Sequence, residues 1–262
     1  MKIITWNCNG IRARFPLIKK LINSLPIDIL CLQETKISDD IFPVKEFQQF
    51  GFMFQAYRGE KGYNGVAILS KLPFKSSDYK IWVGKEDCRH IQVNFSNDLI
   101  INNFYVPAGG DIADKNVNEK FEHKLRFLSE LKSWAEKLPD DRKEILLGDL
   151  NIAPLPEDVW SHKQLINVVS HTPIEVEYLN GVLKSGNYTD IVREYYSPTE
   201  KLFSWWSYRS KDWKLSNRGR RLDHIWASNK LKNKSKEIQI LKEKRGWNKP
   251  SDHVPIYLDL EI

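Results

Sequence analysis

Apolar positions along the chain fall into short runs, some alternating with polar residues and some unbroken. They lie at Lys2–Asn7, Asp28–Gln33, Phe52–Arg58, Gly65–Ser70, Tyr79–Val83, His90–Phe95, Leu99–Val106, Glu144–Leu150, Leu202–Tyr208, Leu222–Ala227, Glu237–Leu241 and Pro255–Leu260. A period of two, or a short apolar run bounded by turn residues, predicts a β-strand. His90–Phe95 and Leu99–Val106 are joined by Ser-Asn-Asp, which predicts a hairpin.

Helical spacing appears between these runs. Leu17, Ile18, Leu21, Ile22 and Leu25 form one stripe after Pro16, a residue suited to a helix start. Phe121, Leu125, Leu128, Leu131, Trp134 and Leu138 form a longer one. Thr172-Pro173-Ile174-Glu175 reads as a capping box with Pro at the first helical position, and Gly186 marks that helix's exit. Strands and helices in mixed order, with several hairpins, predict an α/β fold of two mostly antiparallel sheets packed together, with helices outside. No repeat, linker or composition shift divides the 262 residues, so one domain spanning 1–262 is expected.

Composition narrows the function classes. The chain is 41% hydrophobic and 28% charged, too apolar for disorder. No apolar run approaches the ~20 residues of a membrane span. The opening MKIITWNCNG turns polar after two isoleucines, unlike a signal peptide. Cys8, Cys31 and Cys88 offer no disulfide framework and no metal-ligand spacing, and Cys31 reads as a buried small hydrophobe. A cytoplasmic protein is expected. Forty Lys and Arg against 34 Asp and Glu give a net charge of +6, a modest excess that suits a polyanionic partner.

The sharper signal is at the strand ends. Predicted strands end in, or are flanked by, Trp6-Asn7-Cys8-Asn9, Gln33-Glu34-Thr35, Tyr105-Val106-Pro107, Gly148-Asp149-Leu150-Asn151, Arg221-Leu222-Asp223-His224 and Ser251-Asp252-His253. Any single Asn or Asp there would ordinarily be a turn residue or helix cap. Together they place polar groups where a rigid sheet can converge them. Glu34, Asp149 and Asp252 are hard oxygen donors, with Asn9 and Asn151 as neutral ones, and no thiolate or histidine cluster accompanies them. Such a set favours Mg²⁺ or Mn²⁺ over zinc. His253 follows Asp252, and Asp223 is a carboxylate that can orient its imidazole. A metal, an imidazole and a spare carboxylate to activate water suit phosphodiester hydrolysis.

These stretches carry a family resemblance. ITWNCNGIRAR, DILCLQETK, GYNGVAILSK, NFYVPAGG, EILLGDLNIAP, FSWWSYRS, NRGRRLDHIWAS and SDHVPIYLDL, in this order from Ile4 to Leu260, resemble the exonuclease III-type apurinic/apyrimidinic (AP) endonucleases of the endonuclease/exonuclease/phosphatase superfamily. The resemblance implies a four-layer α/β sandwich with its site at one mouth between the sheets. It implies Mg²⁺, with Mn²⁺ as a substitute, held on the side of Glu34, Asn9, Asp149, Asn151 and Asp252. It further implies that Asp149 activates water, that Asn151 and Asn7 position it, that Tyr105 lies near the scissile phosphate, and that Asp223 and His253 contact a phosphate oxygen. The implied activity is cleavage on the 5′ side of abasic sites and 3′-end trimming of double-stranded DNA, by a monomer without membrane attachment.

A basic loop between two site-bearing strands, YRSKDWKLSNRGRR, holds Arg209, Lys211, Lys214, Arg218, Arg220 and Arg221 as candidate phosphate contacts, with Arg12, Arg14 and Lys36 as lesser ones. Trp205 and Leu222 match walls of the family's abasic-sugar pocket. Arg220 stands where an apolar or aromatic wall is expected, Ala108 where a longer polar side chain is frequent, and Leu155–Gly186 matches poorly. Two other readings stand beside the nuclease: a non-catalytic nucleic-acid-binding relative, and a superfamily hydrolase acting on inositol phosphates or sphingomyelin. Retention of Glu34, Asp149, Asp223, Asp252 and His253 argues against the first; the basic loop and NGIRAR argue against the second.

Overall fold

The computed structural model describes residues 1–210 and 212–262. Its strands are β1 (Lys2–Asn7), β2 (Ile29–Gln33), β3 (Phe54–Glu60), β4 (Tyr63–Ser70), β5 (Phe74–Asp78), β6 (His90–Phe95), β7 (Leu99–Tyr105), β8 (Lys143–Asp149), β9 (Tyr188–Asp190), β10 (Trp205–Trp206), β11 (Gly219–Arg220), β12 (Asp223–Ser228), β13 (Ser235–Ile240) and β14 (Ile256–Leu260). They form two six-stranded sheets, ordered β13-β14-β1-β2-β4-β3 and β5-β6-β7-β8-β12-β9, and a small β10-β11 ribbon. Each large sheet has one parallel pair, β1 with β2 and β7 with β8, and is otherwise antiparallel.

Alternation along the strands sorts residues between layers. Ile3 of β1 packs in the cluster between the sheets with Ile29, Cys31, Val66, Ile101, Ile145 and Ile225. Ile4 and Trp6 point the other way, onto the helix Ile11–Ser24. On the far sheet, Phe104, Leu146 and Trp226 meet the helices Glu119–Ala135 and Pro173–Ser185. The result is helix, sheet, sheet, helix, the four-layer sandwich that the resemblance implied. Because Asn7 is in phase with Ile3 and Thr5, it emerges on the inter-sheet side at the end of its strand.

The sheets are also tied by polar groups. Gln33 Nε2 of β2 donates to Asn103 Oδ1 of β7 at 2.6 Å, and Asn103 Nδ2 donates to the carbonyls of Leu32 and Ala67 at 3.0 and 2.9 Å. Both side chains are fully buried, so each needs these partners.

Local expectations differ from the structure in places. The helix starts at Ile11, so Pro16 lies inside it. Gly10 and Ile11 donate their N–H groups to the Glu34 and Thr35 carbonyls, and this tertiary capping starts the helix early. Tyr79–Val83 is not a strand of either large sheet. The edge strand ends at Asp78, after which Lys80 donates its N–H to His90 Nδ1 and Trp82 turns under the far sheet against Phe104 and Phe127. Only Trp205–Trp206 of Leu202–Tyr208 forms a strand, paired with the two-residue β11, while the Leu202 N–H goes to the Glu157 carbonyl and the Trp206 N–H to that of Asp252. The Thr172 capping box and the Gly186 exit are present as expected. No helix among the described residues is long and apolar enough to cross a membrane.

Candidate active site

Strand direction gathers the polar strand ends. The C-terminal ends of β1 and β2 carry Asn7 and Glu34, and those of β7 and β8 carry Tyr105 and Asp149. Strand β12 runs antiparallel to β8 with Asp223 opposite Asp149, and β14 runs antiparallel to β1, which brings the preceding Asp252 and His253 to the same mouth. Sharp backbone turns complete the convergence: Asn9, Glu34 and Asn151 all have positive φ, at 48°, 50° and 55°.

Asn7 sits at the centre. Its fully buried Nδ2 donates to Glu34 Oε1 at 2.8 Å and to Asp149 Oδ2 at 2.8 Å, bridging carboxylates that belong to different sheets. Asp149 Oδ1 accepts from the Asn151 backbone N–H at 2.9 Å, and Asn151 Nδ2 is fixed on the Val106 carbonyl at 2.9 Å. Across the site, His253 Nδ1 lies 2.8 Å from Asp223 Oδ2, while its Nε2 faces Asp149 Oδ2 at 3.6 Å. Ser204 Oγ donates to the same Asp223 oxygen at 2.6 Å, a contact with no signature in the sequence.

Electrostatics follow from this crowding. Burial, with Asp223 and Glu34 adding to it against the opposing His253, raises Asp149 to about 7. Burial alone would lower His253, but the Asp223 and Asp149 carboxylates outweigh it and push it up to about 10, so the ring is an imidazolium at neutral pH. Burial beside Glu34 and Asp149 holds the Tyr105 hydroxyl well above its usual value, so it remains a donor.

Asp252 stands apart from the innermost group. Its Oδ1 accepts from Asn9 Nδ2 and its Oδ2 from Trp205 Nε1, both at 2.9 Å. Burial favours its neutral form, yet His253 and these donors leave its pKa below the usual value. Lys36 Nζ bridges Glu34 Oε2 at 2.7 Å and Asn9 Oδ1 at 2.6 Å, so it belongs to the carboxylate cluster rather than to an open basic surface.

One ligand atom each from Glu34, Asp149 and His253 lies within 4.8 Å of the others; with the ring protonated, the two carboxylates are the donors that could hold a metal ion. The donor chemistry fits a hard divalent cation. Carboxylates of Glu34, Asp149 and Asp223 gather here with Asp252 beside them, and hard oxygen donors of this kind suit such an ion.

Beside these groups opens a cavity of about 890 Å³ reaching from Glu34 and His253 past Trp205 and Leu222 to Trp160 and Arg220. The basic loop divides. Arg209 and Arg218 are exposed on the cavity rim, and Arg218 lies over the Trp160 ring. Lys214 is exposed but faces Glu243 at 3.9 Å, away from the lining. Lys211 lies outside the described residues. Arg12 is exposed, and Arg14 donates to the Tyr208 hydroxyl at 2.8 Å.

Arg221 is a correction to the basic surface. It is fully buried, with Nε and Nη2 forked on Asp158 at 2.7 and 2.9 Å and Nη1 on Asp190 at 2.7 Å. Fully buried and held by two carboxylates, this guanidinium is out of reach of a phosphate.

The residues 4–253 match the family model described as Endonuclease/Exonuclease/phosphatase family. The chain is 32% identical to exodeoxyribonuclease III of Haemophilus influenzae and 30% identical to an exodeoxyribonuclease of Bacillus subtilis, with 100% of each chain covered. Among solved structures it resembles an AP endonuclease from Archaeoglobus fulgidus, with TM-score 0.92 and 29% identity. It equally resembles a 3′ phosphatase from Neisseria bound to a product DNA hairpin, with TM-score 0.91 and 28% identity; both likenesses cover 100% of each chain.

Proposed function

The chain belongs to the endonuclease/exonuclease/phosphatase family and is a DNA-repair nuclease, and from that premise we propose that it hydrolyses the backbone 5′ to abasic sites and trims 3′ ends of duplex DNA. The carrying observation is the Asn7 amide between Glu34 and Asp149, with an Asp223-backed imidazolium 3.6 Å from the same Asp149 oxygen. This arrangement offers a base, a positive charge and a cation site around one point.

In this reading Glu34, Asp149 and Asp252, with Asn9 and Asn151 in support, would hold Mg²⁺ or, in its place, Mn²⁺. The ion supplies Lewis-acid stabilisation of charge on the phosphate oxygens. Asp149 takes a proton from the attacking water, oriented by Asn7 and the Asn151 backbone N–H. A cation nearby favours the ionised carboxylate that this task requires. His253 holds charge that builds on a phosphate oxygen, and the Tyr105 hydroxyl donates beside it. Arg209 and Arg218 at the rim hold flanking phosphates, and Trp205 and Leu222 wall the space for the nucleotide beyond the scissile bond. A missing base makes turning that nucleotide out of the duplex cheap. The protein acts as a monomer.

The test is a duplex carrying one abasic analogue, incubated with Mg²⁺ or with EDTA beside an intact blunt duplex. Mg²⁺-dependent incision at the analogue and shortening from 3′ ends are expected. An uncut analogue in Mg²⁺ removes the abasic-site assignment.

A further inference from the structure

Arg220 is a charged wall of the cavity beside Trp205 and Leu222, and the structure is built to keep it there. It pairs with Trp205 across the β10-β11 ribbon, and its guanidinium lies over the Trp205 ring at 5.4 Å. Trp205 is itself fixed by its bond to Asp252. Arg220 Nη1 donates to the Val169 carbonyl at 2.9 Å and to Ser170 Oγ at 2.6 Å.

Ser170 is held for this purpose. It adopts φ 83°, a conformation that is costly for a residue with a side chain. Glu175 accepts its N–H at 2.9 Å, and its carbonyl accepts from the Ala153 N–H at 2.7 Å. Glu175 is anchored in turn by the fully buried Lys124 at 2.5 Å. The segment that matches the family poorly, Leu155–Gly186, is thus the segment that clamps the unexpected arginine.

The clamp leaves the charge under-satisfied. Arg220 Nε is buried and has no partner among the described residues. Glu175, the carboxylate whose charge acts on it, makes no bond to it and is already engaged by Lys124. A half-buried guanidinium short of acceptors is unfavourable, and a guest that supplies one relieves the penalty. A base-free deoxyribose brings few acceptors and no planar face. A nucleobase brings both: it can stack on indole or guanidinium planes and accept from Nη2, the donor left once Nη1 is engaged by Val169 and Ser170 and Nε is buried. Room is not the obstacle, since about 890 Å³ lies within the ~300–1,000 Å³ of pockets that enclose a ligand of nucleotide size.

We propose that Arg220 is a specificity-determining residue that tilts the cavity toward a base-bearing 3′-terminal nucleotide and against a base-free deoxyribose. This deepens the nuclease reading above and rests on it: abasic incision persists, but 3′-end removal of intact nucleotides is the favoured reaction.

Two measurements test it. In the first, cleavage by the unaltered enzyme is inhibited with a deoxynucleoside 5′-monophosphate or with 2-deoxyribose 5-phosphate, which share the phosphate and differ in the base. The nucleotide should inhibit at about tenfold lower concentration. In the second, kcat/KM for removing a matched 3′-terminal nucleotide is divided by kcat/KM for incising an abasic analogue. Arg220→Leu should lower this ratio by about tenfold, and Arg220→Lys, which keeps the charge without the fork, by less. Equal inhibition by the two phosphates, or an unchanged ratio in a folded Arg220→Leu, overturns the proposal. If Arg220→Leu does not fold, the inhibition measurement decides. If the unaltered enzyme cleaves neither substrate, the nuclease reading itself fails and this inference falls with it.

Discussion

His253 Nδ1, in the segment leading into β14, lies 2.8 Å from Asp223 Oδ2 of β12, a strand of the other sheet. The contact fixes the ring so that Nε2 points at Asp149, and it supplies the negative charge that keeps the buried ring protonated. Ser204 Oγ donates to the same oxygen and helps to hold the carboxylate toward the ring. The two sheets therefore share one charged couple at the mouth between them.

Loss of that couple should be felt in turnover more than in binding. His253→Gln removes a charged donor aimed at developing phosphate charge, so kcat should fall about 10²–10³-fold. Asp223→Asn should reproduce most of that fall. Single-turnover cleavage of an abasic duplex measures both, and a His253→Gln rate close to the parent's would exclude this role.

Asp149→Asn preserves shape but removes the basic oxygen. A lost general base corresponds to roughly 10²–10⁴-fold in kcat. DNA binding should survive or tighten, because a negative charge facing the phosphate is gone. Cleavage by the variant at a near-parental rate at saturating enzyme would exclude Asp149 as the base.

Removal of divalent cations should abolish cleavage, because Glu34, Asp149 and Asp252 otherwise repel the phosphate. Glu34→Ala should recover part of its activity as Mg²⁺ is raised, since the loss is mainly of metal affinity. A Mg²⁺ titration of both proteins separates these outcomes; full activity in EDTA contradicts the cation site.

The arginines of the basic loop should divide by position. Arg209→Ala with Arg218→Ala should weaken binding to all duplexes alike and flatten the slope of log affinity against log salt by about 0.9 per lost contact. Arg221→Ala should instead unfold the protein more easily. It removes the Arg221 fork from Asp158, which keeps only Arg193 as a charged partner among the described residues, and takes the arginine from Asp190; breaking such a buried pair costs about 3–5 kcal/mol. Urea unfolding and filter binding, run on each variant, tell the two behaviours apart.

His90 should make stability fall with acid. Burial lowers its pKa to about 4, against an Asn102 hydrogen bond and Asp78 that raise it and with Lys80 and Arg58 lowering it further. The unfolded chain takes up the proton first, near pH 6.5, so the contribution is complete above that pH and is lost as pH falls toward about 4. The full effect is on the order of 3 kcal/mol. Urea unfolding at pH 7.5 and pH 5 should show a smaller loss in His90→Gln than in the parent; equal losses would falsify the assignment.

Much of the architecture was legible because it is written locally. Alternation in Lys2–Asn7 places Ile3 and Asn7 on one face, and the Thr172–Glu175 box needs only its own four residues. The polar strand ends were legible too, since each precedes or follows an apolar run. Their meeting point depends on strand order and direction, which gather Asn7, Glu34, Asp149, Asp223 and His253 at one mouth.

What only the tertiary structure decided is which charges are free. Arg220 and Arg221 are adjacent in a run that reads as one basic surface, yet Arg221 is sealed onto Asp158 and Arg220 is clamped into the cavity by Ser170. Pro16 falls inside a helix because carbonyls beyond β2 cap the turn before it. Gln33 and Asn103, Lys124 and Glu175 pair across different elements, and neither partner marks the other in the sequence. Spacing along the chain sets the face of a strand or helix on which a side chain lies. Whether that face meets water, a carboxylate or a cavity is set by packing between distant segments, and burial then converts the same residue type from a solvated charge into a fixed ion pair or an unsatisfied donor.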